Sequence, residues 1–464
     1  MAEATTRKQE QDFTKEVDEL IPQVDQLVKT GNIQQGIEKL LVLEKQTRNA
    51  SDLASTSRVL LQIVSIIFDS KDVDGLCLHV HQLARKHGQL RQATTTMVEK
   101  VMTFLDQLDQ ENKIKLINSL REVTDGKIYL EVQRARLTKQ LAQIREAEGA
   151  TGTANDLMQE LQVETFGSME RREKMDFILE QMRLLRIQQD WEKLAIVSKK
   201  INNKWLAEPE NEDLKLRFYA LMITYASKLS RYLDLCKYYR SIHESKSIKA
   251  DPIKSLAALR NAVYFVILAP YDNEQSDLLH RIAKEEDELK KIEAVYDLVK
   301  CFTTPELMRW PGIQELYGPA LRKSKVFGPK GTPGLEGDIE EDVDEGANPG
   351  EARWQELHKR VVEHNIRAVS KYYTRLTMQR LSELLDLSLL ESEATLAKLV
   401  SSKTVFAKID RPSGIVRFNT QDQQTATRGE AVLNEWNNDV GKLLGLVEKT
   451  VHLIQKEFAL QGIK

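Results

Sequence analysis

Cysteine is the scarcest chemistry in this 464-residue sequence: Cys77, Cys236 and Cys301 are the only three. They are odd in number, far apart and in no C-x-x-C pair. That excludes a disulfide framework and points to a reducing compartment, cytoplasm and nucleus. Proline and glycine are also few, 11 and 21, and many of them gather between Thr303 and Gly350. Charge of one sign is missing as well. The formal net charge of -3 argues against a general polyanion binder, because a protein that neutralises many phosphates carries a concentrated basic surface. No hydrophobic run approaches the ~20 residues of a membrane span. The most apolar one, Ala262 to Ala269, stops at Pro270 and reads as a buried helix. The polar opening MAEATTRKQEQDF reads as no secretory signal, and no membrane partner is expected.

What remains are long stretches rich in Leu, Lys, Glu, Gln and Ala, a helical composition. They carry a period. Turn-like polar residues fall at Asn32, Asp72 and Asn112, steps of 40, and continue at Gly152, Asp190, Arg231 and Asp272. Several are followed by the same pattern at offsets +1, +4, +5 and +8. It reads Ile33, Gly36, Ile37, Leu40 in one unit and Val73, Leu76, Cys77, Val80 in the next. Trp191, Leu194, Ala195, Ser198 and Tyr232, Leu235, Cys236, Tyr239 repeat it. Such offsets share one helix face, and about forty residues make two helices and two turns. The expectation is a stack of helix pairs up to about Phe302.

The texture then changes. TPELMRWPGIQELYGPALRKS predicts a short helix between prolines, and the Gly/Pro-rich stretch after it holds an acidic run from Glu336 to Glu345, read as a flexible surface loop over 323–350. Beyond it the sequence predicts a helix (Met378 to Leu385), a turn (Asp386 to Leu390), a second helix (Glu391 to Ser401) and a two-stranded hairpin. Its strands are Val405 to Asp410 and Ile415 to Phe418, an order that describes a winged helix. As the outer strand, Ile415 to Phe418 would offer Val416, Arg417 and Phe418 to a partner chain. The last helix, Gly429 to Phe458, follows a short polar link from Asn419 to Arg428. Leu433, Trp436, Val440, Leu443, Val447, Val451, Ile454 and Phe458 step by 3 or 4 along it, a stripe that needs another helix to cover it.

Catalytic signatures are absent. His79-Val-His81 opens the H-x-H-x7-S-x-x-D pattern of zinc isopeptidases, but Gln89 and Gln92 replace its serine and aspartate. No H-E-x-x-H or G-x-S-x-G occurs, and Gly441-Lys442 lacks the earlier glycine of a phosphate loop, where Trp436 stands. No catalytic residue, metal ligand or cofactor is therefore expected. The second winged-helix helix balances Glu391 and Glu393 against Lys398 and Lys403 rather than presenting base-reading side chains, so no nucleic acid is expected either.

Helical repeats running into a winged helix and a terminal helix resemble the PCI family, named for the proteasome lid, the signalosome and an initiation factor. VVEHNIRAVSKYYTRLTMQRLSELLDLS (Val361 to Ser388) and GIVRF (Gly414 to Phe418) are similar to the PCI subunits of the proteasome lid. The resemblance implies an all-α fold: a right-handed, TPR-like solenoid (1–230), the helical part of the PCI module (231–322), its winged-helix part (351–425) and a C-terminal bundle helix (426–464). It also implies a scaffold that cleaves nothing and serves lid assembly in ubiquitin-dependent degradation. Its partners would be other PCI subunits through the winged-helix edges, the lid's helical bundle through the last helix, and a zinc deubiquitinase subunit, the ATPase ring and the core particle. A PCI subunit of the signalosome, or a PCI scaffold of translation or messenger-RNA export, is the alternative.

Overall fold

The computed structural model describes residues 12–29, 32–284, 289–328, 349–418 and 420–461. The chain divides into two compact units, Met1–Leu221 and Met222–Lys464.

In the first unit the expected helix pairs are present. They are Thr14–Lys29 with Ile33–Asn49, Leu53–Asp69 with Val73–Arg85, Arg91–Phe104 with Gln110–Thr124, Glu131–Ala147 with Thr151–Gln159, and Arg171–Ile187 with Trp191–Ser198. The periodic polar positions mark where the second helix of a pair begins, because a short side-chain acceptor satisfies the free N–H groups of a first turn. Asp72 accepts from Gly75 N and Asp190 from Lys193 N. At two places the phase differs: these helices begin after Asp109 and Ala150, neither of which makes a side-chain cap, and Asn112 and Gly152 lie inside them.

One turn recurs. Ser51, Gly149 and Gln189 adopt left-handed φ of 59°, 84° and 59°. The following N–H then reaches five residues back: Asp52 to Thr47, Ala150 to Arg145 and Asp190 to Leu185, at 3.0, 2.9 and 3.1 Å. This is the 6→1 closure that ends a helix while satisfying its last carbonyls. Leu40, Leu60, Ile63, Leu76, Leu83 and Met97 fill the core between the first pairs. Glu44 is fully buried there, held by Arg48 at 3.1 Å and by Lys86 at 2.8 Å, the latter from the neighbouring pair. Exposed ion pairs between consecutive pairs repeat at similar separations, such as Arg58–Asp18, Arg136–Glu173 and Arg172–Asp213.

In the second unit, Tyr232–His243 lies against Pro252–Leu268. The latter is the apolar run of the sequence, started by Asp251 as cap and Pro252 in the first turn. It is buried on nearly every side, and Phe265 stacks between Tyr239 and Tyr232 at 5.6 and 6.3 Å. After Glu293–Thr303 the chain runs as an extended strap. Asn365 grips it like a paired strand, accepting from Met308 N at 2.8 Å and donating to Met308 O at 2.7 Å, while His364 Nε2 reaches Glu306 O at 3.2 Å. Two short helices follow, Trp310–Leu316 and Gly318–Arg322, each with proline in its first turn.

Residues 323–328, read from composition as loop, are partly core instead. Val326 and Phe327 are buried, and the Phe327 ring meets Trp354 edge-on at 6.1 Å. The acidic run, Glu336 to Glu345, lies outside the described residues. The two flanks of that stretch meet, because a Cβ on Gly350 would overlap the Gly328 carbonyl.

Candidate assembly interface

The helix Pro349–Tyr372 leads into a three-stranded antiparallel sheet with two helices. Strand β1 is Arg375–Thr377, β2 is Ala407–Asp410 and β3 is Ile415–Phe418, in spatial order β1-β3-β2. Between β1 and β2 lie Met378–Leu385 and Leu389–Ser401. The first is capped by Thr377. The second opens on a capping box in which Ser388 and Glu391 satisfy each other's backbone N–H. Asp386, in left-handed conformation at φ 53°, makes the turn between them.

This topology corrects the expected edge. β3 is the central strand, paired on both sides, so it offers no free backbone to a partner. Val416 and Phe418 point into the module's own core with Leu376, Leu381, Leu396 and Leu399, Val416 at 0% exposure. Only Arg417 of the three faces solvent. The edges are β2 and β1, and three residues of β1 are too short to show alternation in sequence.

The C-terminal helix runs over Thr420–Gln461, so the polar link expected up to Arg428 is part of it from Thr420 onward. All eight stripe residues are exposed, from 37% at Val440 to 66% at Trp436. Leu444, Leu446 and Leu453, which the sequence reading passed over, are exposed too. Leu446 and Leu453 are seven apart and lie off the main stripe, so apolar surface covers more than one side. Each such side chain is worth roughly 1.5–3 kcal/mol when buried. The described structure buries none of them.

Two acidic side chains of the second winged-helix helix are already engaged. Glu391 is spent in the capping box, and Glu393 binds Arg411 at 2.6 Å. His79 and His81 both lie on Val73–Arg85, two positions apart, and burial pulls His79 below its usual pKa. Burial pushes the Cys236 thiol up to about 12 and Cys77 upward, which suits small core side chains rather than reactive thiols. Among the described residues no cluster of His, Cys, Asp or Glu is placed to hold a metal, and no helix is long and apolar enough to cross a membrane.

Three family models match the chain: PSMD12/CSN4, N-terminal, over residues 35–251; the PCI domain over 306–420; and the 26S proteasome regulatory subunit RPN5 C-terminal domain over 430–462. The last falls on the exposed helix. The 26S proteasome regulatory subunit rpn501 of Schizosaccharomyces pombe is 41% identical over 463 residues, 99% of this chain and 98% of that protein. The 26S proteasome non-ATPase regulatory subunit 12 of Dictyostelium discoideum is 41% identical, covering 99% and 97%. The 26S proteasome regulatory subunit RPN5 of Saccharomyces cerevisiae is 39% identical, covering 98% of each. With such identity held over essentially the whole length, the chain belongs to the family of the 26S proteasome non-ATPase regulatory subunit 12, or RPN5.

Proposed function

We propose that this protein is a non-catalytic scaffold subunit of the lid of the 26S proteasome regulatory particle, where it supports lid assembly and ubiquitin-dependent protein degradation. The observation that carries the reading is the C-terminal helix, which presents eleven large apolar side chains to solvent along one element. Partner helices from other lid subunits cover that surface in a shared bundle. The winged helix sits beside the PCI modules of its neighbours, and β1 and β2 are the edges open to them. The zinc deubiquitinase subunit, the ATPase ring and the core particle are its further neighbours, in cytoplasm and nucleus. Full-length relatives named as 26S proteasome subunits favour this placement over the signalosome.

Truncation after Arg428 tests the helix. Circular dichroism and size exclusion of the truncated chain alone should show a folded helical protein, while co-purification with lid subunits should be lost. A truncated chain that still enters the lid, or that unfolds alone, would reject the bundle role.

A further inference from the structure

The wing sheet has a second surface that the scaffold reading does not use. Register places Arg375 of β1 opposite Arg417 of β3, and Arg417 opposite Lys408 of β2, so three cations stand in one cross-strand row. All three are exposed, and among the described residues none has an ion-pair partner. Like charges directly opposite one another weaken a sheet. Charge on an edge strand protects it from unwanted pairing, but Arg417 is on the central strand, where no edge needs protection. Arg375 and Lys408 can guard their edges, whereas Arg417 adds like charge between them with no edge to guard.

We propose that this face of the wing sheet docks an acidic polypeptide segment. Strands ~4.8 Å apart space the three cations about 5 Å from one another. Carboxylates at i and i+3 or i+4 of a helix recur every ~5–6 Å, so an acidic helix can meet them in turn. On the same face Ile415 and Thr377 form the adjoining row with Asp410, giving the partner's backbone a small apolar contact. Single-stranded nucleic acid fits less well. It is held by stacking on aromatic rings along a longer basic track, and this face carries three cations and no aromatic residue among Arg375, Thr377, Lys408, Asp410, Ile415 and Arg417.

The test uses the full chain and fluorescence anisotropy with three probes: a helical peptide with Glu at every third or fourth position, its Gln counterpart, and a ten-nucleotide oligouridylate. The Glu peptide should bind, the Gln peptide should not, and added salt should weaken the complex. Arg417→Glu should cut Glu-peptide affinity at least tenfold, and Arg417→Gln severalfold. Because Arg417→Glu alternates charge along the row, its melting temperature should hold or rise, which separates lost docking from lost folding. Equal binding of both peptides, Glu-peptide binding indifferent to Arg417, or an oligonucleotide that binds more tightly through the same residues would each overturn the proposal. The readout is binding by the chain alone, so it stands or falls separately from placement in the lid.

Discussion

Two helices of the second unit use the same vocabulary of Leu, Val, Ile and aromatic residues to opposite ends. Pro252–Leu268 buries eleven residues, with Phe265 fully enclosed between tyrosines. Thr420–Gln461 leaves the eleven large apolar side chains described on it at 37–66% exposure. The first helix is hydrophobic all round, as a helix inside a core must be. The second keeps polar and charged residues between its apolar ones, so the free chain can stay in water with that stripe uncovered. Hydrophobicity alone does not tell a core from an interface; what distinguishes them is whether the same chain supplies the cover.

That contrast can be broken at single residues. Phe265→Ala should destabilise the second unit by about 3–5 kcal/mol, since the void left among Tyr232, Tyr239 and Arg353 cannot collapse fully. Trp436→Ala should change the stability of the free chain by less than ~0.5 kcal/mol, yet weaken lid association by about 2 kcal/mol or more if Trp436 anchors the bundle. Chemical denaturation and pull-down measure the two effects. A destabilised Trp436→Ala chain would place that residue in its own core after all.

A pH-dependent effect belongs to His364, which fastens the strap and packs edge-on against Phe302. Burial, with Arg367 and Lys371 nearby, lowers its pKa from 6.5 to about 4, so the folded state holds it neutral. The unfolded chain takes up that proton first. Stability from this group is thus complete above pH 6.5, falls as pH drops toward 4, and is about 3 kcal/mol lower below that. Urea midpoints from pH 7 to 4 should fall more steeply for the natural chain than for His364→Gln. Parallel curves would count against it.

The smallest effect lies in the recurrent turn. Ser230, left-handed at φ 53°, precedes an Arg231 N–H that reaches Ala226 O at 2.9 Å. A non-glycine residue there carries a steric cost that glycine escapes, so Ser230→Gly should stabilise by up to ~1 kcal/mol. A lower melting temperature would mean that the serine side chain contributes more than its backbone strain costs.

How much of this was legible follows from what each feature depends on. Asp72 and Asp190 could be read as helix starts because a cap is a local device. Asp109 and Ala150 could not, since neither side chain caps its helix. The long helix showed through its stripe from Leu433 onward. Its start at Thr420 did not, because the Gln- and Thr-rich segment before the stripe has no periodic apolar residues to announce a helix. β1 escaped for a different reason. Arg-Leu-Thr becomes a strand only when β3 arrives to pair with it, forty residues later in the chain, and with β1 went the identity of the central strand and the row of three cations.

The meeting of Gly328 with Gly350 has a practical corollary. When a segment leaves and re-enters a fold at one point, the fold registers its length only through loop-closure entropy, which grows by ~0.6 kcal/mol for each doubling. Shortening residues 329–348 to a few glycines, or expanding them to carry an affinity tag, should then leave the melting temperature nearly unchanged, and a large drop would count against it. Gly350 itself has no such latitude. Adding one methyl group there would push the two ends apart, so a position at the margin of that segment is the clasp that holds its ends together.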